Sequence, residues 1–127
     1  MKKTPEQMAQ ALYALLKENS KDCFDVSVEL FEDHVSYEDQ AGKIVIDFGN
    51  KLILVSGNIR DTFCVNTKQE VAELYVTDNT KSIRFFESSF GSQMAEVIEQ
   101  YDTYEELKHR MESLSLFMYL DLDIVFC

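Results

Sequence analysis

The sequence predicts an α+β fold in a single domain spanning residues 1–127. We expect an N-terminal helix, then an antiparallel β-meander of five to seven strands, then one or more C-terminal helices packed on the sheet. Segments of alternating apolar and polar residues fill much of the region 24–87, which is the pattern of half-buried strands. Apolar residues recur at helical spacing before and after that region, and the length suits one core.

The strongest local signal is the stretch Lys43–Ser56. Two runs rich in Ile, Val and Leu flank Gly49-Asn50, which predicts a tight two-residue hairpin turn with Gly49 at positive φ. Ile44 and Ile46 fall on one face of the first strand. The second run is apolar at successive positions, so we expect this strand to lie inside the sheet with a layer packed over it.

Two helices are predicted from capping boxes followed by apolar residues at helical spacing. Thr4 and Gln7 form a capping box around Pro5, and the helix that starts there should end near Asn19. A second box at Thr103 precedes apolar positions that step by three and four as far as residue 118, which predicts an amphipathic helix.

Four further segments are assigned from their periodicity. Residues 59–65 alternate and predict a strand, whereas 67–76 fits a short helix and a strand equally well. Ser92 is expected to cap a helix through residue 101, which would place Glu96 and Glu99 on a helix face. The tail 120–127 alternates like an edge strand, which makes a symmetric dimer plausible, so we expect a monomer or homodimer.

The charge distribution restricts the class of partner. The net charge is −11, and residues 22–47 carry eight acids against a single base, Lys43. Direct binding of nucleic acid is therefore not expected, because it needs clustered Lys and Arg. A basic protein partner fits this pattern, and so does an acidic surface that serves only solubility.

The cysteines and the hydropathy indicate a cytoplasmic protein. Cys23, Cys64 and Cys127 are odd in number and lack paired spacing, so we expect reduced thiols. No signal peptide and no apolar run of membrane-spanning length is visible, so no membrane partner is expected.

No motif in the sequence predicts a catalytic, metal-binding or cofactor-binding residue. His34 and His109 lie beside acids but outside any zinc-binding spacing. Ser92 follows Phe90-Gly91 but lacks the second glycine of a nucleophile elbow. There is no glycine-rich phosphate-binding loop.

We therefore expect a non-enzymatic protein that binds a basic, nucleic-acid-handling protein and inhibits or antagonises it. This profile is that of phage anti-defence proteins, such as anti-CRISPR and anti-restriction proteins. The expected partner-binding residues are acids in the first predicted strands and turns: Asp25, Glu29, Glu32, Asp33, Glu38 and Asp39.

Two alternatives remain open. One is an immunity protein or secretion chaperone with a dedicated partner, since these are also often small and acidic. The other is a small-ligand binder or enzyme that uses a pocket between the sheet and the C-terminal helix. Its lining residues would be Phe63, Tyr75, Phe85 and Phe86.

Overall fold

A computed structural model describes residues 3–75 and 81–127, and these residues form the expected α+β fold. The strands are β1 Ser27–Phe31, β2 His34–Glu38, β3 Gly42–Asp47, β4 Leu52–Asn58, β5 Lys81–Glu87 and β6 Gln93–Gln100. The helices are α1 Pro5–Asn19, α2 Ile59–Phe63, α3 Lys68–Tyr75, α4 Tyr104–Glu112 and α5 Asp123–Phe126, with a 3₁₀ turn at Ser115–Phe117. No helix in the described ranges is long and apolar enough to cross a membrane.

The six strands form one sheet in the order β1-β2-β3-β4-β6-β5, and every neighbouring pair is antiparallel. The first four strands are the predicted meander. The chain then passes through α2 and α3 to β5, which lies at the far edge, and β6 returns between β5 and β4. The outer strands of the sheet are therefore β1 and β5.

One side of the sheet is covered by helices. Val35, Ile46 and Ile53 are neighbours across β2, β3 and β4, and each is 1% exposed or less. The helices of the described residues place their buried side chains in the same core, including Leu12 of α1 and Met111 of α4. We call this side the covered face.

The other side, which we call the open face, has no helix packed on it within the described residues. Val45, Leu54 and Ile98 are register neighbours across β3, β4 and β6, are only half-buried, and lie outside the core cluster. The expected layer over β4 is therefore present on one face only. β4 nevertheless lies inside the sheet with a layer packed over it, as predicted.

The turn between β3 and β4 also differs from the prediction. Asp47 pairs with Leu52, so the loop holds four residues, and the positive φ of 53° belongs to Lys51 rather than to Gly49. Phe48 keeps the alternation of β3, with its side chain fully buried on the same face as Ile46. The Asp47 carboxylate then closes the loop by accepting hydrogen bonds from the backbone and side-chain amides of Asn50, at 3.1 and 2.9 Å.

Two segments that were predicted to be a strand or left ambiguous are helices in the structure. The predicted strand 59–65 is helix α2, because the Asn58 side chain caps it by accepting from the backbone N–H of Arg60 at 2.9 Å. The ambiguous segment 67–76 is helix α3 as far as Tyr75, and residue 76 lies outside the described residues. The Thr67 hydroxyl accepts from the backbone N–H of Glu70 at 3.2 Å, so the capping pattern decides this segment.

The predicted helix 92–101 is strand β6. Ala95, Val97 and Glu99 alternate on its covered face and are fully buried there. The apolar residues of this segment fit both periods, and pairing with β4 and β5 on its two sides makes it a strand. Helix α1 has its predicted bounds and capping box, whereas α4 ends at Glu112, earlier than expected.

The C-terminal tail is helix α5 and not the predicted edge strand. Leu122 and Val125 are buried, and the ring of Phe126 meets that of Phe48 edge to face at 5.8 Å between centroids. The tail is held against the fold, as expected, but side-chain packing holds it rather than strand pairing. An edge strand at the C-terminus therefore no longer supports a homodimer, and the homodimer stays a prediction.

Candidate protein-binding surface

The six predicted partner-binding acids lie on the edge hairpin formed by β1 and β2 and on its flanking connections. Asp25 precedes β1, and Glu29 lies within it. The other acids lie in the two connections or at the end of β2: Glu32, Asp33, Glu38 and Asp39. All six positions therefore lie at one edge of the sheet.

The hairpin does not gather the six acids into one continuous patch. Glu32 and Asp33 form the turn between β1 and β2, whereas Asp25, Glu38 and Asp39 lie at the other end of the hairpin. A strand of this length separates the two ends by about 16 Å, at about 3.3 Å per residue. Glu29 lies between them, on the open face.

Three of the six acids have side-chain partners within the protein. The Asp25 carboxylate accepts from the side-chain amide of Gln40 at 2.8 Å. The Asp39 carboxylate accepts from the backbone N–H groups of Ala41 and Gly42, at 2.9 and 3.2 Å, and so builds the turn into β3. The Asp33 carboxylate lies 3.3 Å from the Nδ1 of His34, and its backbone carbonyl accepts from the N–H of Phe48.

Glu29, Glu32 and Glu38 are exposed and free to meet a partner. Within the described ranges, none of the six acids forms an ion pair with Lys or Arg. Acids elsewhere are paired in that way, for example Glu96 with Arg84 at 3.4 Å. The edge hairpin therefore carries negative charge that is in no ion pair with Lys or Arg within the described ranges, and the nearest base in the register is Lys43, opposite Glu38 across β2 and β3.

Exposed apolar side chains accompany these acids, and sequence reasoning missed them. Phe24 is fully exposed just before β1, and Leu30 and Phe31 in β1 are 38% and 44% exposed. Phe31 stacks on the imidazole of His34, its register partner, at 4.8 Å between ring centroids. The sequence does contain one signal of this exposure, because the alternation of apolar and polar residues breaks at Phe31, directly before Glu32.

The acidic edge continues into the open face. Glu29 is opposite Ser36, Ser36 is opposite Val45, and the row continues through Leu54 to Ile98. Along this row the surface passes from an acidic edge to aliphatic side chains, and many protein interfaces combine a polar rim with an apolar centre.

A buried polar cluster lies on the covered face, and the sequence reading missed it. Glu99 is 0% exposed, and its carboxylate accepts from Nε and a terminal nitrogen of Arg110, at 2.7 and 3.1 Å, and from the hydroxyl of Tyr101. Burial, reinforced by the Glu99 charge, raises the pKa of Tyr75. The hydrogen bond to Glu99 raises the pKa of Arg110. The cluster joins β6 to α4.

The aromatic residues expected to line a ligand pocket do not converge on one. Phe63 packs edge to face against Tyr75 at 5.9 Å, and Phe85 belongs to the core side of β5. Phe86 lies on the open face, where its ring centroid is 4.8 Å from the Arg84 guanidinium.

A cavity of about 580 Å³ lies elsewhere, between α1, the start of α4 and the tail. Its apolar lining includes Met8, Tyr104 and Phe126, and Lys3 and Lys108 supply charge. Lys108 already binds the Asp123 carboxylate, and Lys3 donates to the backbone carbonyl of Ile124.

No group of three or more His, Cys, Asp or Glu side chains in the described ranges is placed to hold a metal ion. Cys23, Cys64 and Cys127 are free and exposed.

Comparison with models of protein families, with curated proteins and with solved structures found no match to this chain.

Proposed function

We propose that this protein is a non-enzymatic binding protein that inhibits or antagonises a basic, nucleic-acid-handling protein, in the manner of phage anti-CRISPR or anti-restriction proteins. The supporting observation is the unpaired charge of Glu29, Glu32 and Glu38 beside exposed apolar side chains. A basic site that binds phosphates attracts carboxylates for the same electrostatic reason.

The two components of the surface contribute differently to binding. Unpaired acids speed the encounter with a basic partner and reject partners of like charge. Exposed rings such as Phe31, together with the aliphatic open face, supply the apolar contact from which most affinity comes. A surface that served only solubility would need the acids alone.

We place this activity in the cytoplasm. Cys23, Cys64 and Cys127 are all free and exposed, a state that persists in a reducing compartment. An immunity protein or secretion chaperone would use the same surface chemistry with a different partner. The cavity beside Met8 and Phe126 supports a small-ligand binder as the second candidate, because its volume is within the range of ligand sites.

Charge reversal tests the proposed function. The edge triple variant replaces three exposed acids with lysine: Glu29→Lys, Glu32→Lys and Glu38→Lys. Asp33 and Asp39 stay unchanged, because the Asp39 carboxylate builds the turn into β3 and the Asp33 carboxylate contacts the imidazole of His34. The control triple variant replaces exposed acids on α3, β5 and α4: Glu73→Lys, Glu87→Lys and Glu112→Lys. Each reversal adds two charges, so three reversals move both variants from −11 to −5.

The measurement is quantitative capture from a bacterial lysate, followed by titration of the recovered protein against each variant. We expect the parent and the control triple to bind one basic nucleic-acid-binding protein, and the edge triple to bind it at least about tenfold more weakly. Nucleic acid should compete for the same site. Equal binding by both triple variants, or capture of no basic protein by the parent, contradicts the proposal.

A further inference from the structure

The outer strand β1 leaves part of its backbone unpaired, as the ladder between β2 and β3 shows. The N–H of Phe48 donates to the carbonyl of Asp33, and the N–H of Asp39 donates to the carbonyl of Gly42, both at 2.9 Å. Hydrogen-bonded pairs alternate along an antiparallel ladder, so the odd-numbered residues of β2 bond to β3. The even-numbered residues of β2 therefore bond to β1.

The partners of those even-numbered residues on β1 are Ser27, Glu29 and Phe31. Val28 and Leu30 consequently direct their N–H and C=O groups outwards, past the edge of the sheet. β1 thus presents the hydrogen-bonding groups that a further strand needs.

Several common protections of an edge strand are missing from β1. It contains no proline, no lysine and no bulge, since five consecutive residues pair in regular register with β2. Four of its five residues are exposed, and only Val28 is buried. Glu29 is its one charged residue.

The charge of β1 selects what can pair with it. Two copies of β1 side by side would bring Glu29 of both copies to one surface, between molecules that each carry −11. Such pairing is disfavoured by like-charge repulsion. A basic strand gains from the same charge.

We propose that β1 accepts an extended segment of the partner as an added strand, and that this segment alternates basic and apolar residues. The inference rests on the proposed function and names the part of the partner that binds. Apolar residues of the segment would lie beside Val28 and Leu30, towards the covered face, and basic residues beside Glu29 on the open face. An arginine at the end of the segment can also stack on the ring of Phe31.

The probe is a capped peptide of about ten residues in which Arg and Val alternate, long enough to span one strand. The control peptide has the same composition with Arg and Val in consecutive pairs, so its charge is equal and its periodicity wrong. Binding is followed by NMR titration of the full chain and by hydrogen exchange of individual amides. We expect only the alternating peptide to slow exchange of the Val28 and Leu30 amides, by about tenfold or more.

Two variants at one position separate backbone pairing from side-chain contact. Leu30→Pro removes an outward N–H and places a ring against the incoming strand, and proline is tolerated on edge strands. Leu30→Thr removes the apolar side chain but keeps the N–H group. We expect Leu30→Pro to weaken binding of the alternating peptide about tenfold or more, and Leu30→Thr to weaken it less. Thermal unfolding checks that both variants fold. If Leu30→Pro does not fold, the protection of the Val28 and Leu30 amides in the parent still tests the inference.

The outcomes distinguish this inference from the proposed function. Equal binding of both peptides without protection of Val28 and Leu30 would overturn strand addition while leaving an electrostatic partner site intact. Absence of any binding by the alternating peptide would also overturn it. A third outcome is that the edge triple variant binds the alternating peptide as tightly as the parent while Leu30→Pro binds it weakly. In that case strand addition holds, and the electrostatic part of the proposed function fails.

Discussion

Glu99 and Arg110 form an ion pair that joins strand β6 to helix α4, with the carboxylate buried and the guanidinium partly exposed. The Glu99 side chain has no exposed surface, and Arg110 reaches both of its carboxylate oxygens, at 2.7 and 3.1 Å. Arg110 also donates to the hydroxyl of Ser113 at 3.0 Å, so the guanidinium is held from both sides.

Breaking this pair should destabilise the fold strongly. Arg110→Met leaves the Glu99 charge buried without its partner, which costs about 3–5 kcal/mol. Replacing both residues, as Glu99→Leu with Arg110→Met, should recover most of that loss because no isolated charge remains. Urea unfolding of the two single variants and the double variant measures the effect. Additive losses in the double variant would show that the two side chains stabilise the fold independently.

Stability should fall at alkaline pH through Tyr75. Burial, followed by the nearby Glu99 charge, raises the pKa of Tyr75 above its usual value. A group whose pKa is raised on folding contributes stability below its unfolded pKa, about 10 for tyrosine, and loses it as pH rises through the folded pKa. Tyr75→Phe should therefore flatten the decline of the urea midpoint above about pH 10.

Part of that decline should remain in Tyr75→Phe, because burial also raises the pKa values of Tyr37 and Tyr104. Phenolate absorbance over the same pH range, compared between the parent and Tyr75→Phe, gives the contribution of Tyr75 to the titration. A decline identical to that of the parent would mean that folding leaves the pKa of Tyr75 unchanged, which would contradict the prediction.

A side chain at Gly57 should not fit. A Cβ placed there would lie 2.1 Å from the Thr62 hydroxyl oxygen and 2.6 Å from the carbonyl of Ala41. Thr62 donates to that same carbonyl at 2.7 Å, so it cannot move without losing the bond. Gly57→Ala should destabilise the protein by about 1–3 kcal/mol, the usual cost of overpacking.

A second experiment introduces Gly57→Ala into the Thr62→Ala variant and compares its cost with that in the parent. Removing the hydroxyl relieves one of the two clashes, so Gly57→Ala should cost less there than in the parent, by thermal or urea unfolding. The same cost in both backgrounds would locate the strain at the Ala41 carbonyl.

Glycine at position 64 should stabilise the protein. Cys64 ends helix α2 with φ 57° and ψ 37°, the left-handed conformation that side chains disfavour. Cys64→Gly should raise the free energy of unfolding by about 1 kcal/mol, since this conformation is nearly free of strain for glycine. Cys23→Gly is the control, because Cys23 is also exposed but has no positive φ, and it should gain nothing. A loss of stability in Cys64→Gly would contradict the argument.

Much of the fold and little of the candidate site could be predicted from the sequence. The acids of the edge hairpin were visible as charges, but their division between two ends follows from the pairing of β1 with β2. The pairing of Glu99 with Arg110 joins residues on different elements, and no local pattern signals it. In the sequence, Phe31 cannot be distinguished from the other apolar strand residues. Its exposure follows from the position of β1 at the edge of the sheet.

Elements with local signals could be assigned from the amino-acid sequence alone. The capping box of Thr4 and Gln7 sets the start of α1, and alternation along the chain sets the meander from β1 to β4. Tertiary structure decided the segments whose apolar residues fit two periods, as when pairing with β4 and β5 made β6 a strand. It also decided which face of the sheet is covered and which edge stays open. These outcomes depend on contacts between distant parts of the chain, and the period of a short segment carries no information about them.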